Sequence, residues 1–157
     1  MEQVEIYIER LHKPQTGFRP DNKTNKARIL MLHGHGQSGW FFYHKTKFLI
    51  KTLQMMASER NKKGFANGIE LFYPNGPLQA SQNLDPDVWA WGRGDVEGGL
   101  IDGLSETLKK IMDILHTYGP FVGVIGFSTG AAIAAITASL LERGGDHALN
   151  TQVNSPS

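Results

Sequence analysis

At 157 residues, with 40% hydrophobic and 20% charged side chains, the chain has the length and composition of one folded domain, which excludes wholesale disorder. A formal charge of +1 gives no reason to expect a nucleic-acid partner. The absence of cysteine excludes disulfides, thiolate nucleophiles and cysteine-based zinc sites.

The charge is unevenly spread. Residues 1–63 hold 12 Lys/Arg and 5 Asp/Glu, whereas residues 64–157 hold 4 and 10. The basic residues are scattered along the first part, so they read as solvated surface and not as an anion-binding patch. Met1 to Arg10 lacks an apolar run of signal-peptide length, and no segment approaches a membrane span. The expectation is a soluble, cytoplasmic protein with no nucleic-acid partner and no membrane partner.

In chain order, Val4 to Leu11 alternates partly and suggests a short strand or ordered arm. Lys13 to Ala27 is rich in Lys, Asn, Pro, Gly and Thr and reads as an exposed loop. Residues 1–27 are therefore set apart as an amino-terminal arm and loop, and residues 28–157 as the main domain. Arg28 to Leu32 is an apolar run that opens into His33-Gly34-His35-Gly36, the pattern of a buried strand entering a glycine-rich turn. From about His44 to Ala57, Phe48, Leu49, Leu53 and Met56 recur at helical spacing.

Ile69 to Tyr73 is a second strand, stopped by Pro74-Asn75-Gly76-Pro77, and residues 78–99 form an irregular insert carrying Trp89 and Trp91. Leu100 to Tyr118 is amphipathic, with Leu100, Leu104, Leu108, Ile111, Met112 and Leu115 on one face. Gly119-Pro120 ends that helix. Phe121 to Ile125 is a third strand. Ala131 to Leu141 is a helix apolar all round, which implies burial on most sides, and Gly144 to Ser157 reads as polar and turn-like. Strands alternating with helices predict an α/β domain with a parallel sheet, right-handed crossovers and helices on both faces.

The chemistry concentrates at Gly126-Phe127-Ser128-Thr129-Gly130. A G-x-S-x-G match alone is weak, but here a buried strand enters the turn and a helix leaves it, so Ser128 sits on a strand-to-helix elbow. The helix points its amino end at the serine, and the backbone N–H of Thr129 is placed to donate to an oxyanion. Gly34-His35-Gly36-Gln37-Ser38-Gly39 also fits G-x-G-x-x-G, the dinucleotide fingerprint. That reading needs an acidic residue at the end of the next strand, whereas Glu59 falls in or just after a helix, so it fails on position. In a hydrolase the same turn supplies the second oxyanion donor, the N–H of His35.

The stretches Ile29–Gly39 and Tyr118–Ala132 resemble the FSH family of serine hydrolases, which includes fungal esterases and thioesterases and the ovarian-cancer-associated esterase-like proteins. Trp89-Ala90-Trp91 and the helix after it are similar to that family's aromatic segment, so the resemblance covers about Arg28 to Asn154. It implies an α/β-hydrolase fold, an acyl ester or thioester as small-molecule substrate, and no metal or organic cofactor. Thr129 stands where the family usually carries Gln, a change a backbone donor tolerates. The family continues past this point with strands bearing an acidic residue and a histidine that complete the triad. The chain is thus expected to be incomplete at its carboxyl end, with an open sheet edge offering a route to self-association.

A serine hydroxyl needs a hydrogen-bonded base. Of six histidines, His12, His44, His116 and His147 lack a placing motif, and only His33 and His35 belong near the carboxyl ends of the strands. By the resemblance His33 orders the oxyanion loop, and neither is expected to act as the base. Asp85, Asp87, Asp95 and Glu97 in the insert are expected to be solvated. Trp89 and Trp91 either line an acyl pocket or cover the core, and the sequence leaves both open. The expectation is an ester or thioester hydrolase with Ser128 as nucleophile, against an inactive, truncated hydrolase that serves as a binding or non-functional fragment.

Overall fold

The computed structural model describes residues 4–10, 13–14, 25–59, 65, 67–81, 86–94 and 101–153, with the backbone alone for 10, 13–14, 57–59 and 144–153. Its sheet has the order β2-β1-β4-β3-β7, from β1 (Val4–Arg10), β2 (Lys13–Pro14), β3 (Ala27–Leu32), β4 (Ile69–Tyr73) and β7 (Gly123–Gly126). Four strands run parallel and β2 alone is antiparallel, pairing Arg10 with Lys13. A separate hairpin pairs β5 (Leu78–Gln79) with β6 (Trp89–Ala90), so the insert expected to be irregular carries two short strands. Val4–Arg10 is part of the same sheet as the domain set apart from it, running parallel to β4.

Alternation along the strands builds two apolar layers. Leu30, Leu32, Phe72 and Val124 face α2 (Leu104–Tyr118) and α3 (Thr129–Val153). Ile29, Met31, Leu71 and Ile125 face α1 (Gly39–Glu59). Helices on both faces of a parallel sheet are the α/β architecture expected from the alternating pattern, here a partial α/β-hydrolase. No helix among the described residues is long and apolar enough to cross a membrane.

Three helix boundaries differ from expectation. α1 starts at Gly39, five residues before His44, because Ser38 caps it: its hydroxyl accepts the Phe41 N–H at 3.1 Å and its carbonyl accepts the Phe42 N–H at 2.9 Å. α2 starts at Leu104, and its buried face runs through Thr107, Ile111 and Ile114, leaving Met112 exposed. α3 continues through Gly144 and Gly145 to Val153, across most of the stretch whose polarity reads as turn-like in the sequence. A helix interior tolerates glycine at a cost of about 1 kcal/mol per residue.

α3 also departs from the expected all-round burial. Ile133, Ala134 and Thr137 are buried, but Ala131, Ala132, Ala135, Ala138, Leu140 and Leu141 are exposed. The reason is topological: α3 packs on β7, and β7 is the edge of the sheet, with nothing among the described residues beyond it.

At the opposite end of the strands from the serine turn, Arg28 and Glu70 are cross-strand partners, both almost fully buried. Arg28 Nε donates to Glu70 Oε2 at 2.7 Å, and Nη1 donates to the Tyr118 carbonyl at 2.5 Å. One guanidinium thus ties β3, β4 and the end of α2 together. Removing a single partner leaves a buried charge uncompensated, which costs about 3–5 kcal/mol. Glu70→Leu should lose that much in urea denaturation, and Arg28→Met with Glu70→Leu should be more stable than Glu70→Leu alone. A double variant no better than the single would show that the pair's remaining contacts, and not the ion pair, carry the energy.

Candidate active site

β7 ends at Gly126 and α3 begins at Thr129, so the chain reverses within Phe127 and Ser128. Ser128 has φ 53°, the sole positive-φ non-glycine residue among those described. This left-handed conformation costs roughly 1–2 kcal/mol for a side chain with a Cβ. The turn is held by Gly130 N–H to the Phe127 carbonyl and Ala131 N–H to the Ser128 carbonyl, both 2.9 Å. A Cβ on Gly126 would lie 2.4 Å from the Gly130 carbonyl oxygen, so only glycine fits there. The strained residue is the one with the hydroxyl, and it is exposed.

The elbow is pressed against the loop after β3. A Cβ on Gly130 would lie 2.3 Å from the Leu32 carbonyl oxygen and 2.4 Å from that of His33. Phe127 N–H donates to the Leu32 carbonyl at 3.0 Å, and its ring reaches to 3.0 Å from where a Gly34 Cβ would be. His35 follows in a turn completed by Gly36 at φ 67°. The two motif turns therefore meet, with exposed His35 on one and exposed Thr129 on the other. Thr129 opens α3, where the first N–H groups have no partner within the helix. Lys45 on α1 places its ammonium 5.0 Å from the Phe127 ring centre and 5.1 Å from that of Phe41, covering both rings at the rim.

His33 is fully buried and locks the loop. Its Nε2 lies 2.9 Å from the Gly76 N–H, which can only donate, so Nε2 accepts and the proton sits on Nδ1, donated to the Gly34 carbonyl at 2.7 Å. Burial pushes the imidazole down to about 4, and the bond to the Gly34 carbonyl opposes that shift without cancelling it. His33 is neutral, with both nitrogens committed.

Trp91 is 1% exposed, donates its indole N–H to the His33 carbonyl at 2.8 Å and lies with its ring centre 4.9 Å from the imidazole. It belongs to the core layer under α2 and α3. Trp89, also buried, is joined to the loop by its backbone: Gly36 N–H to the Trp89 carbonyl and Trp89 N–H to the Gln37 carbonyl, both 2.9 Å.

Two residues to which the sequence reading gives no structural role complete this support. Asp87, expected to be solvated, is half-buried because the Ser38 hydroxyl donates to it at 3.0 Å and the Trp89 indole at 3.3 Å. Asn75 is buried and accepts the Gly39 N–H at 2.7 Å through Oδ1, while its Nδ2 has no hydrogen-bond partner among the described residues. Asn75 sits in a Pro-Asn-Gly-Pro run whose evident use is to stop a strand, and Asp87 has no motif. Only the fold reveals either role.

Among the described residues, no hydrogen bond joins the Ser128 hydroxyl to a histidine or a carboxylate. His33 is spoken for, His44 lies against Trp40 and Tyr43 on α1, and His116 is exposed near the end of α2. The side chains of His12, His147, Asp85, Asp95 and Glu97 lie outside the described residues. Glu59 ends α1 and is not at the end of β4, so the dinucleotide reading of Gly34–Gly39 fails in the structure as well.

The buried imidazole makes stability pH-dependent. In the unfolded chain it protonates near its ordinary 6.5, and in the folded protein only near 4. Between those values the unfolded state binds a proton that the native state refuses, so stability present above pH 6.5 is lost as pH falls toward 4. The loss amounts to roughly 3 kcal/mol. Urea denaturation from pH 7 to 4 should show wild type losing about that much more than His33→Gln. Parallel curves for the two proteins would mean that His33 is not held neutral.

Comparison with known proteins gives the family. The family model described as "Serine hydrolase (FSH1)" matches residues 23–155. The chain is 42% identical over 131 residues to Esterase OVCA2 of Homo sapiens, covering 74% of the chain and 56% of that protein. It is 30% identical over 129 residues to Esterase OVCA2 of Danio rerio, covering 74% and 57%, and 34% identical over 128 residues to Family of serine hydrolases 2 of Saccharomyces cerevisiae, covering 71% and 52%. The chain spans a little over half the length of these relatives. With the family model covering most of its residues and its two motif turns meeting at the carboxyl ends of adjacent parallel strands, the chain belongs to the FSH1 family of serine hydrolases.

Proposed function

We propose that the chain is the nucleophile-bearing part of a hydrolase of carboxylic esters or thioesters. The observation that carries this reading is Ser128 at φ 53° on a turn packed directly against the loop after β3. Ser128 attacks the acyl carbonyl, and the backbone N–H groups of His35 and Thr129 take the developing oxyanion. The alcohol or thiol leaves, and water then frees the acid from the acyl-enzyme. Trp89 and Trp91 serve binding by fixing the loop that presents His35. None of the described residues is assigned as the base or its acidic partner, and the chain spans a little over half the length of the relatives it matches.

The second reading is a hydrolase-derived chain without turnover. What favours it is that, among the described residues, no hydrogen bond joins a histidine to Ser128. The two readings separate in a chain extended to the full family length. There, Ser128→Ala should lower turnover on short p-nitrophenyl esters by about 10⁶-fold, the usual loss when a triad nucleophile is removed. A folded Ser128→Ala protein with near-normal turnover would remove the assignment.

The 157-residue chain itself should be almost inactive, because donors without a base leave only roughly 10³–10⁴-fold acceleration over water. Turnover near ~10 s⁻¹ that disappears on His35→Ala would overturn this, and would make His35 a substituted base.

A further inference from the structure

Asn-Gly occurs twice in the chain, at Asn67-Gly68 and Asn75-Gly76. The dipeptide is chemically labile, because a glycine nitrogen has no side chain beside it to shield it. That nitrogen can attack the asparagine side-chain carbonyl carbon and close a five-membered imide. Ring closure requires the side chain to swing toward its own following nitrogen, so the fold decides which copy reacts. The two copies lie at opposite ends of β4, in opposite environments.

Asn75-Gly76 is locked. Asn75 is buried, and its Oδ1 accepts the Gly39 N–H at 2.7 Å. The Gly76 N–H is held by His33 Nε2 at 2.9 Å, and a Cβ on Gly76 would lie 2.3 Å from the Ala90 carbonyl oxygen. Carbon and nitrogen cannot approach each other there without breaking buried contacts. Asn67-Gly68 is open. Asn67 is exposed, and its Nδ2 donates to the Asn25 carbonyl over a long 3.4 Å. The Gly68 N–H is bonded to the Phe65 carbonyl at 3.1 Å. Gly68 has φ 96°, a conformation that residues with a Cβ avoid, so the turn requires the residue that makes the bond labile. The turn precedes β4, which β3 separates from β7, so its exposure does not depend on what lies beyond β7.

We propose that Asn67 is a site of spontaneous deamidation and isoaspartate formation. The Gly68 nitrogen bonds to Asn67 Cγ, the Cγ–Nδ2 bond breaks, and the side-chain amine leaves as ammonia with the proton from the Gly68 nitrogen. Water then opens the imide at either carbonyl, giving aspartate or isoaspartate. Isoaspartate routes the backbone through the former side chain and adds one methylene between positions 67 and 68. The Gly68 carbonyl accepts the Ala27 N–H at 3.0 Å, where β3 and β4 begin to pair and one rung before the buried Arg28–Glu70 pair. A longer backbone there displaces the first rungs of that ladder. The modification needs no partner and is independent of catalysis.

The test is peptide mapping by mass spectrometry of the 157-residue chain held at mildly alkaline pH, native and in urea. In the native chain Asn67 should convert at least about tenfold faster than Asn75, whose reaction waits for local opening of buried contacts. In urea the two should convert at similar rates. The isolated isoaspartyl form should unfold at lower urea than Asn67→Asp, which carries the new carboxylate on a normal backbone. Asn67 left intact in the native chain, Asn75 converting as fast as Asn67 there, or equal urea midpoints for the isoaspartyl form and Asn67→Asp would each overturn the proposal.

Discussion

The architecture of the site depends on one close approach: the backbone at Gly130 against the carbonyl oxygens of Leu32 and His33. β3 and β7 are adjacent and parallel, and Leu32 is level with Gly126, so both chains leave the sheet at the same height and end. Two turns that leave together must share space. They can do so only because no Cβ projects from Gly130 toward β3 or from Gly126 toward the first turn of α3. Once the turns interlock, the residues between them have little freedom. Ser128 is held in a left-handed conformation it would not choose, and Phe127 is laid across Gly34. A strained residue of this kind persists only when its surroundings over-determine it.

His33 carries that constraint outward. Its side chain ties the loop after β3 to the turn after β4, and its carbonyl ties it to Trp91 in the core. Trp91 is tied in turn to α2, whose Thr107 hydroxyl donates to the Trp91 carbonyl at 2.7 Å. The loop that presents His35 is therefore anchored in three directions by buried groups. Oxyanion stabilisation depends on donors that do not reorganise when charge develops. A neutral, doubly bonded imidazole supplies that rigidity, but at the expense of any part in proton transfer.

Much of this was legible in the sequence, and the reason differs from element to element. β4 falls on the expected residues because its apolar run is bounded by glycine and proline. The meeting of the two motif turns follows from parallel pairing, which strand–helix alternation already implies. What the sequence concealed was set by tertiary contact. The cap at Ser38 was obscured because the helical periodicity becomes clear only after His44. The buried face of α2 includes Thr107, a polar residue that burial admits because its hydroxyl has a partner. Asp87 and Asn75 look like ordinary loop residues, and their roles exist only once α1, β6 and the turn after β4 are brought together.

The same reasoning separates what backbone geometry fixes at these turns from what a side chain has to supply. Ser128 and the backbone N–H groups of His35 and Thr129, the proposed nucleophile and oxyanion donors, are held by backbone geometry within two adjacent strands and the turns that follow them. A base, by contrast, is a side chain that needs only to reach the hydroxyl, and it can arrive on any segment that packs beside the elbow. Preorganisation and proton transfer therefore place different demands on a chain. The first requires the close packing of glycines, His33 and Trp91 seen in the fold. The second requires a single histidine in reach, and His33 cannot provide it because neutrality and burial are what make it a good anchor.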